Sequence, residues 1–202
     1  SSSEANQSPP TWIPQEWSLE NYTKLASYGE GLGVYLWNSI FLSLLVVVLT
    51  VLITVLAGYG FARYSFRGKS LLFGTTLLIL MVPYASILIP LFLVISWLHL
   101  GNTTLGLALV IVMLHLPFGV FLMRNSFEAI PKEIEEAALV DGCGTLGLLR
   151  YVSIRLVTPG VVTVALFAFI ASWNEFLAPL IFLNNGADYT LPIMLVNLSQ
   201  GQ

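Results

Sequence analysis

Four long apolar runs fix what this chain can become. They lie at about 38–62, 71–96, 105–123 and 159–183, and each is long enough to cross a ~30 Å hydrocarbon core at about 1.5 Å per helical residue. Inside lipid, backbone N–H and C=O groups find no water, so a spanning segment pairs them within itself as a helix or joins a closed barrel. A barrel needs many segments of roughly ten residues that alternate between a lipid face and a lumen face. These runs are few and apolar on every face, so helices follow. Hydrophobic residues at 56% and charged residues at 9%, with a mean hydropathy of +0.84, exclude a soluble domain and predict an all-α, polytopic helical bundle.

Charge sets its orientation. Arg63, Arg67 and Lys69 lie between the first two runs, and Arg124, Lys132, Arg150 and Arg155 between the last two, leaving only Lys24 elsewhere. Basic residues gather on the cytoplasmic side, which divides the chain into an external segment 1–36, a membrane core 37–184 with a cytoplasmic loop at 124–158, and an external tail 185–202. The net charge of −3 gives no ground for nucleic-acid binding. Segment 1–36 is polar and has no signal-peptide pattern, so a span preceding Ser1 is expected to carry it across. Within it, Trp17–Tyr22 reads as a short interfacial helix.

The chemistry-bearing residues are sparse. One cysteine permits no intramolecular disulfide or cysteine-based metal site, and His99 and His115 are too far apart for a histidine cluster. Gly68-Lys69-Ser70 resembles the end of a phosphate-binding loop, but the glycine required five positions earlier is Arg63. No nucleotide site, catalytic set or metal motif is expected, so the chain is not read as an enzyme. Pro83, Pro90, Pro117 and Pro179 predict kinks within the runs. Glu175 and its neighbour Asn174 lie deep in the last run, where a carboxylate is costly and usually faces a bundle interior or watery cavity. Two readings stay open for them, a polar lining of a translocation pathway and an interhelical anchor. His115 reads the same way, with packing favoured.

The loop between the third and fourth runs holds the most specific pattern. Pro131 suits a first helical turn; Glu133, Glu135 and Glu136 follow where the helix dipole favours carboxylates. Gly142 suits a left-handed closing position. Ile134, Ala137 and Ala138 share a narrow face that would admit another protein. The stretch Glu136-Ala137-Ala138-Leu139-Val140-Asp141-Gly142 resembles the EAA loop of permease subunits of bacterial ATP-binding-cassette importers. Cys143 stands where Ala is frequent and Arg155 where a first proline is common, while Pro159 matches the second. Asn38-Ser39, Ala57 to Arg63, Trp173-Asn174-Glu175-Phe176 and Thr190-Leu191-Pro192 resemble the carbohydrate-uptake branch.

That resemblance implies an importer-permease fold with four spans present of six, in the bacterial inner membrane. It implies that Glu136, Ala137, Ala138, Asp141 and Gly142 couple the chain to two copies of a cytoplasmic ATPase, which binds ATP and Mg while this chain binds no cofactor. It also implies a second permease subunit, an external solute-binding protein and a sugar or related solute. The alternatives are import of another solute, such as a glycerol phosphate, and a non-transporting membrane anchor or sensor that recruits an ATPase. Spans with prolines and buried polar groups need protein partners that lipid cannot replace. Expressed alone in membranes, the chain is therefore expected to be degraded or to aggregate, and a monodisperse, transport-competent preparation of it alone would contradict this.

Overall fold

The computed structural model describes residues 19–200, and among them every regular element is helical. In chain order these are α1 (Glu20–Ala26), α2 (Leu32–Arg63), α3 (Lys69–Leu78) with a 3-10 turn at Ile79–Met81, and α4 (Tyr84–Trp97). Then come α5 (Thr104–Glu128), α6 (Lys132–Val140), and α7 (Thr145–Leu156), which is π-helical at Leu148–Ser153. α8 (Thr158–Asn174), α9 (Leu177–Phe182) and α10 (Leu191–Gln200) complete the chain. The helix predicted at 17–22 starts later, at Glu20, and Trp17 lies outside the described residues.

α2 and α5 are each long and apolar enough to cross a membrane unaided. The second run is not one kinked helix. The segment Lys69–Met81 meets Tyr84–Trp97 at a 111° bend. Pro83 is the cause: its ring disfavours helix for the preceding residue, and Val82 is extended at φ −80° and ψ 128°. The fourth run is broken too. α8 stops at Asn174, Glu175 is extended, and α9 restarts at Leu177. Pro179 has no N–H to give the carbonyl four residues back and its ring clashes with it; that residue is Glu175. Within α9, Pro179 lies in the first turn, where its missing N–H has no helical partner anyway. Pro90 and Pro117, also predicted as kinks, lie inside α4 and α5 without interrupting either helix.

The frame is the close crossing of α2, α5 and α8. α2 turns Ser39, Ser43, Thr50, Thr54 and Gly58 inward, small residues that let membrane helices approach. A Cβ on Gly58 would sit 2.5 Å from Met123 Cβ, and one on Gly119 would sit 2.6 Å from Thr54 Cγ2. The same helix exposes Leu44, Val48, Leu52 and Leu56, spaced one turn apart along a face suited to lipid. One buried cluster gathers Leu42, Val46, Leu88, Leu107, Ile111 and Phe182. A second, toward Arg63, gathers Tyr59, Met123, Phe127, Leu149 and Val164.

The stretch read as a tail is folded. α10 buries Ile193 and Met194, and a 3-10 turn at Gly186–Asp188 precedes it. Asn38 Nδ2 donates to the carbonyls of Ala187 and Tyr189 at 2.7 and 3.1 Å, and Leu191 N–H donates to Ser39 Oγ at 2.8 Å. Nearby in the sequence, Asn184 N–H donates to Asn102 Oδ1 at 2.7 Å. The far end of α2 therefore holds the 187–191 segment in place.

Because α2 and α5 touch through glycine, Gly58→Val is expected to destabilise the protein by about 1–3 kcal/mol through overpacking. Val48→Ala, on the exposed face, should be nearly neutral. Thermal unfolding of both variants in the same detergent checks the contrast.

Candidate functional site

Two regions combine polar chemistry with an unusual backbone. The first is α6 and its flanks. Pro131 stands one residue ahead of the helix, with ψ 134°, rather than inside the first turn as predicted. Gly142 is left-handed, with φ +89°. Its N–H bonds Leu139 O and that of Cys143 bonds Ala138 O, both at 3.0 Å, the paired closure of a Schellman motif. No atom lies within 4 Å of where a Gly142 side chain would begin, so a substitution there strains the backbone and clashes with nothing.

α6 presents an inverted face to its surroundings. Ile134, Glu136, Ala137, Leu139 and Asp141 are exposed, Ala138 is half-buried, and Val140 is 87% exposed. Glu135, read from sequence only as a dipole-favoured residue, is buried instead. Its Oε2 lies 2.7 Å from Arg63 Nε at the end of α2, and its Oε1 accepts from Ser153 Oγ at 3.1 Å. The Arg63 contact is an ion pair by distance, since Nε–H is not aimed along it. Arg63 also donates from its terminal nitrogen to Ile130 O at 3.2 Å. No sequence signal joins Arg63 to Glu135; only the return of the chain past α2 brings them together.

The second region lies where the two broken runs meet. Tyr84, the first residue after the Pro83 bend, donates its hydroxyl to Glu175 Oε1 at 2.6 Å. The same oxygen accepts Ala178 N–H at 3.1 Å, so Glu175 caps α9 from the break. Tyr84, His115 and Glu175 line one cavity of about 340 Å³ whose other walls are Ile79, Leu80, Val82, Ile87 and Leu114. Asn174, expected to work beside Glu175, turns away: its Nδ2 donates to Ile170 O of its own helix at 2.7 Å. Glu175 also lies off the end of α8 rather than along a continuous helix. Tyr84 is the partner that sequence reasoning missed, its only signal being its place directly after Pro83. Among the described residues, no group of three or more His, Cys, Asp or Glu could hold a metal ion.

A family model described as the inner membrane component of binding-protein-dependent transport systems matches residues 50–202, well over half the chain. The chain belongs to this family. It is a multi-pass membrane component of a transport system, and its apolar helices fit that place. The sulfoquinovosyl glycerol transport system permease protein SmoH of Agrobacterium fabrum is 37% identical, over 96% of this chain and 67% of its own. The arabinooligosaccharides transport system permease protein AraQ of Bacillus subtilis is 34% identical, over 92% of this chain and 65% of its own. A solved bacterial ABC transporter involved in importing the acidic polysaccharide alginate superposes with a TM-score of 0.79 at 26% identity, over 93% of this chain and 64% of that one. The chain thus spans about two thirds of the length of these relatives.

For this transport component, the geometry at Glu175 separates two substitutions. Glu175→Gln keeps an oxygen that accepts from Tyr84 and Ala178, and is expected to be mild. Glu175→Leu orphans both donors, at about 1–3 kcal/mol each. Measuring complex stability and solute uptake together distinguishes the roles: abolished uptake in an intact Gln variant would favour a charge-dependent function over an anchor.

Proposed function

We propose that this chain is the membrane-spanning permease half of an ATP-driven importer for a sugar or related solute. In this reading α2, α5 and the two broken runs give four membrane crossings. The end bearing Arg63 and α6 faces the cytoplasm, as its basic residues require, and the 187–191 end faces outward. α6 seats in a groove of a separate ATPase present in two copies, which binds ATP and Mg. Closure of the two ATPases moves α6 and rotates the attached helices as bodies. A second permease subunit completes the pathway, and an external binding protein delivers the solute.

The observation that carries this is α6 itself: an exposed, partly apolar helix, closed by a left-handed Gly142 and fixed from behind through Glu135. Support for a sugar comes from the relatives, whose names specify sulfoquinovosyl glycerol and arabinooligosaccharides. A membrane anchor that only recruits an ATPase would need the helix but not the cavity at Tyr84, His115 and Glu175. The solute is to be identified from the binding protein that associates with the complex and the compound that stabilises it.

Gly142→Asp puts a side chain and a charge on the left-handed residue that closes α6, and Glu136→Lys reverses charge on the exposed face. Both should leave membrane insertion unchanged and lower ATP-dependent uptake by about ten-fold or more, equivalent to 1.4 kcal/mol. Reconstitution with the partner subunits checks this by measuring ATPase copurification, stimulated hydrolysis and uptake side by side. Normal values for all three in both variants would remove α6 from coupling.

A further inference from the structure

The exposed face of α6 accounts for docking but not for how movement leaves the helix. Glu135 is the one buried acidic side chain among the described residues. A helix lying on a surface would ordinarily turn its charges to water. Here one carboxylate joins three elements: α6, which carries it; α2, through Arg63 at 2.7 Å; and the π-helical turn of α7, through Ser153 at 3.1 Å. The paired side chains of Arg63 and Glu135 are only 12% and 10% exposed. Arg63 holds the approach to α6 as well, through Ile130 O at 3.2 Å. Tyr59, one turn before Arg63, packs edge-on against Phe127 with ring centres 5.3 Å apart, closing the junction from the bundle side. At the other end of the same 32-residue helix, Asn38 and Ser39 hold the 187–191 segment.

We propose that Arg63 and Glu135 are positioning residues for coupling: they clamp α6 to α2, so that a displacement of α6 is carried along α2 to the segment held by Asn38 and Ser39. The proposal rests on the reading that α6 docks on an ATPase. A largely buried charge pair suits the task because the attraction between opposite charges opposes their separation over several ångströms and is screened less than at an open surface. The two breaks, at Val82–Pro83 and at Glu175–Phe176, leave α3, α4, α8 and α9 as shorter pieces. α2 and α5 are unbroken, and α2 is the one that meets both α6, through Arg63, and the 187–191 segment, through Asn38 and Ser39.

The test uses the assembled transporter with its ATPase in lipid nanodiscs. In a Cys143→Ser background, spin labels are placed at Glu133→Cys on α6 and at Trp37→Cys near the far end of α2, both exposed positions. With the pair intact, the distance distribution should be single and the same in nucleotide-free and ATP–vanadate-trapped states. In Arg63→Gln and in Glu135→Gln it should widen about two-fold as the two bodies move independently, while the ATPase still copurifies and hydrolyses ATP. The exchanged pair, Arg63→Glu with Glu135→Arg, should narrow it again. An unchanged distribution in either single variant overturns the proposal, as does an exchanged pair that fails to narrow it. Loss of complex with an unchanged distance in what remains marks a merely structural pair and overturns it too. If the unsubstituted chain copurifies with no ATPase, the docking reading fails instead, and this inference falls with it.

Discussion

In hydrocarbon, a helix cannot end without a partner for the backbone groups it frees, and this rule governs where the chain bends. Two runs are interrupted by proline, at Val82–Pro83 and at Glu175–Phe176. Each interruption alone would present polar backbone to lipid, at a cost of several kcal/mol per group. The structure sets them against each other. Glu175 accepts the first free N–H groups' representative, Ala178, at the head of α9 and also takes the Tyr84 hydroxyl from the head of α4. A single carboxylate oxygen therefore satisfies one backbone N–H of α9 and ties it to the side chain that heads α4. The cavity at this point follows from the geometry, because helices turning by 111° leave a wedge that side chains do not fill.

Against the broken runs stand two continuous helices. α2 and α5 approach through Gly58 and Gly119, with Thr54 between them. Such contacts stay rigid because no flexible side chain intervenes to change rotamer. α4 and α9 are short and joined to their preceding helices through two residues, so their orientation is set by the Tyr84–Glu175 contact together with the packing of Leu88 and Phe182 in the first cluster. Interfaces of this kind have discrete packings rather than a continuum of intermediate ones. A stiff pair beside jointed elements is an arrangement in which a push at one end emerges as a change of angle elsewhere.

The helical class, the four apolar runs and the short loop helix α6 were legible in the sequence because each rests on local chemistry. Apolarity over a span length, positive charge between spans and a glycine after Glu-Ala-Ala act within a few residues, and Gly142 adopted its left-handed conformation for that reason. The breaks were only half legible. Pro83 and Pro179 were visible, but whether a proline bends or interrupts a helix depends on what receives the freed groups. Pro117 passes inside α5 while Pro83 ends a helix. Asn174 and Glu175 were expected to cooperate as neighbours, yet adjacent residues at a helix end point apart, and only Glu175 faced the other break. Arg63 with Glu135, and Asn38 with Ala187, are pairings between residues far apart in sequence that no periodicity announces.

The polarity of α6 gives the strongest physical ground for a missing neighbour. A helix that packs on its own protein buries its apolar stripe and solvates its charges. α6 does the reverse at its centre, directing Glu135 inward while Ile134, Leu139 and Val140 stay exposed, with Leu146 of α7 exposed beyond them. The α6 residues come from the end outside the four runs, so lipid tails do not account for their exposure as they do for Leu44 and Val48 on α2. Apolar area left in water costs about 25 cal/mol per Å², and that cost is removed when a complementary groove covers the patch. The inward carboxylate fixes the helix without spending its apolar side chains on internal packing. Those side chains are thereby left exposed, and the orientation they hold is set from within the chain by the Arg63–Glu135 pair.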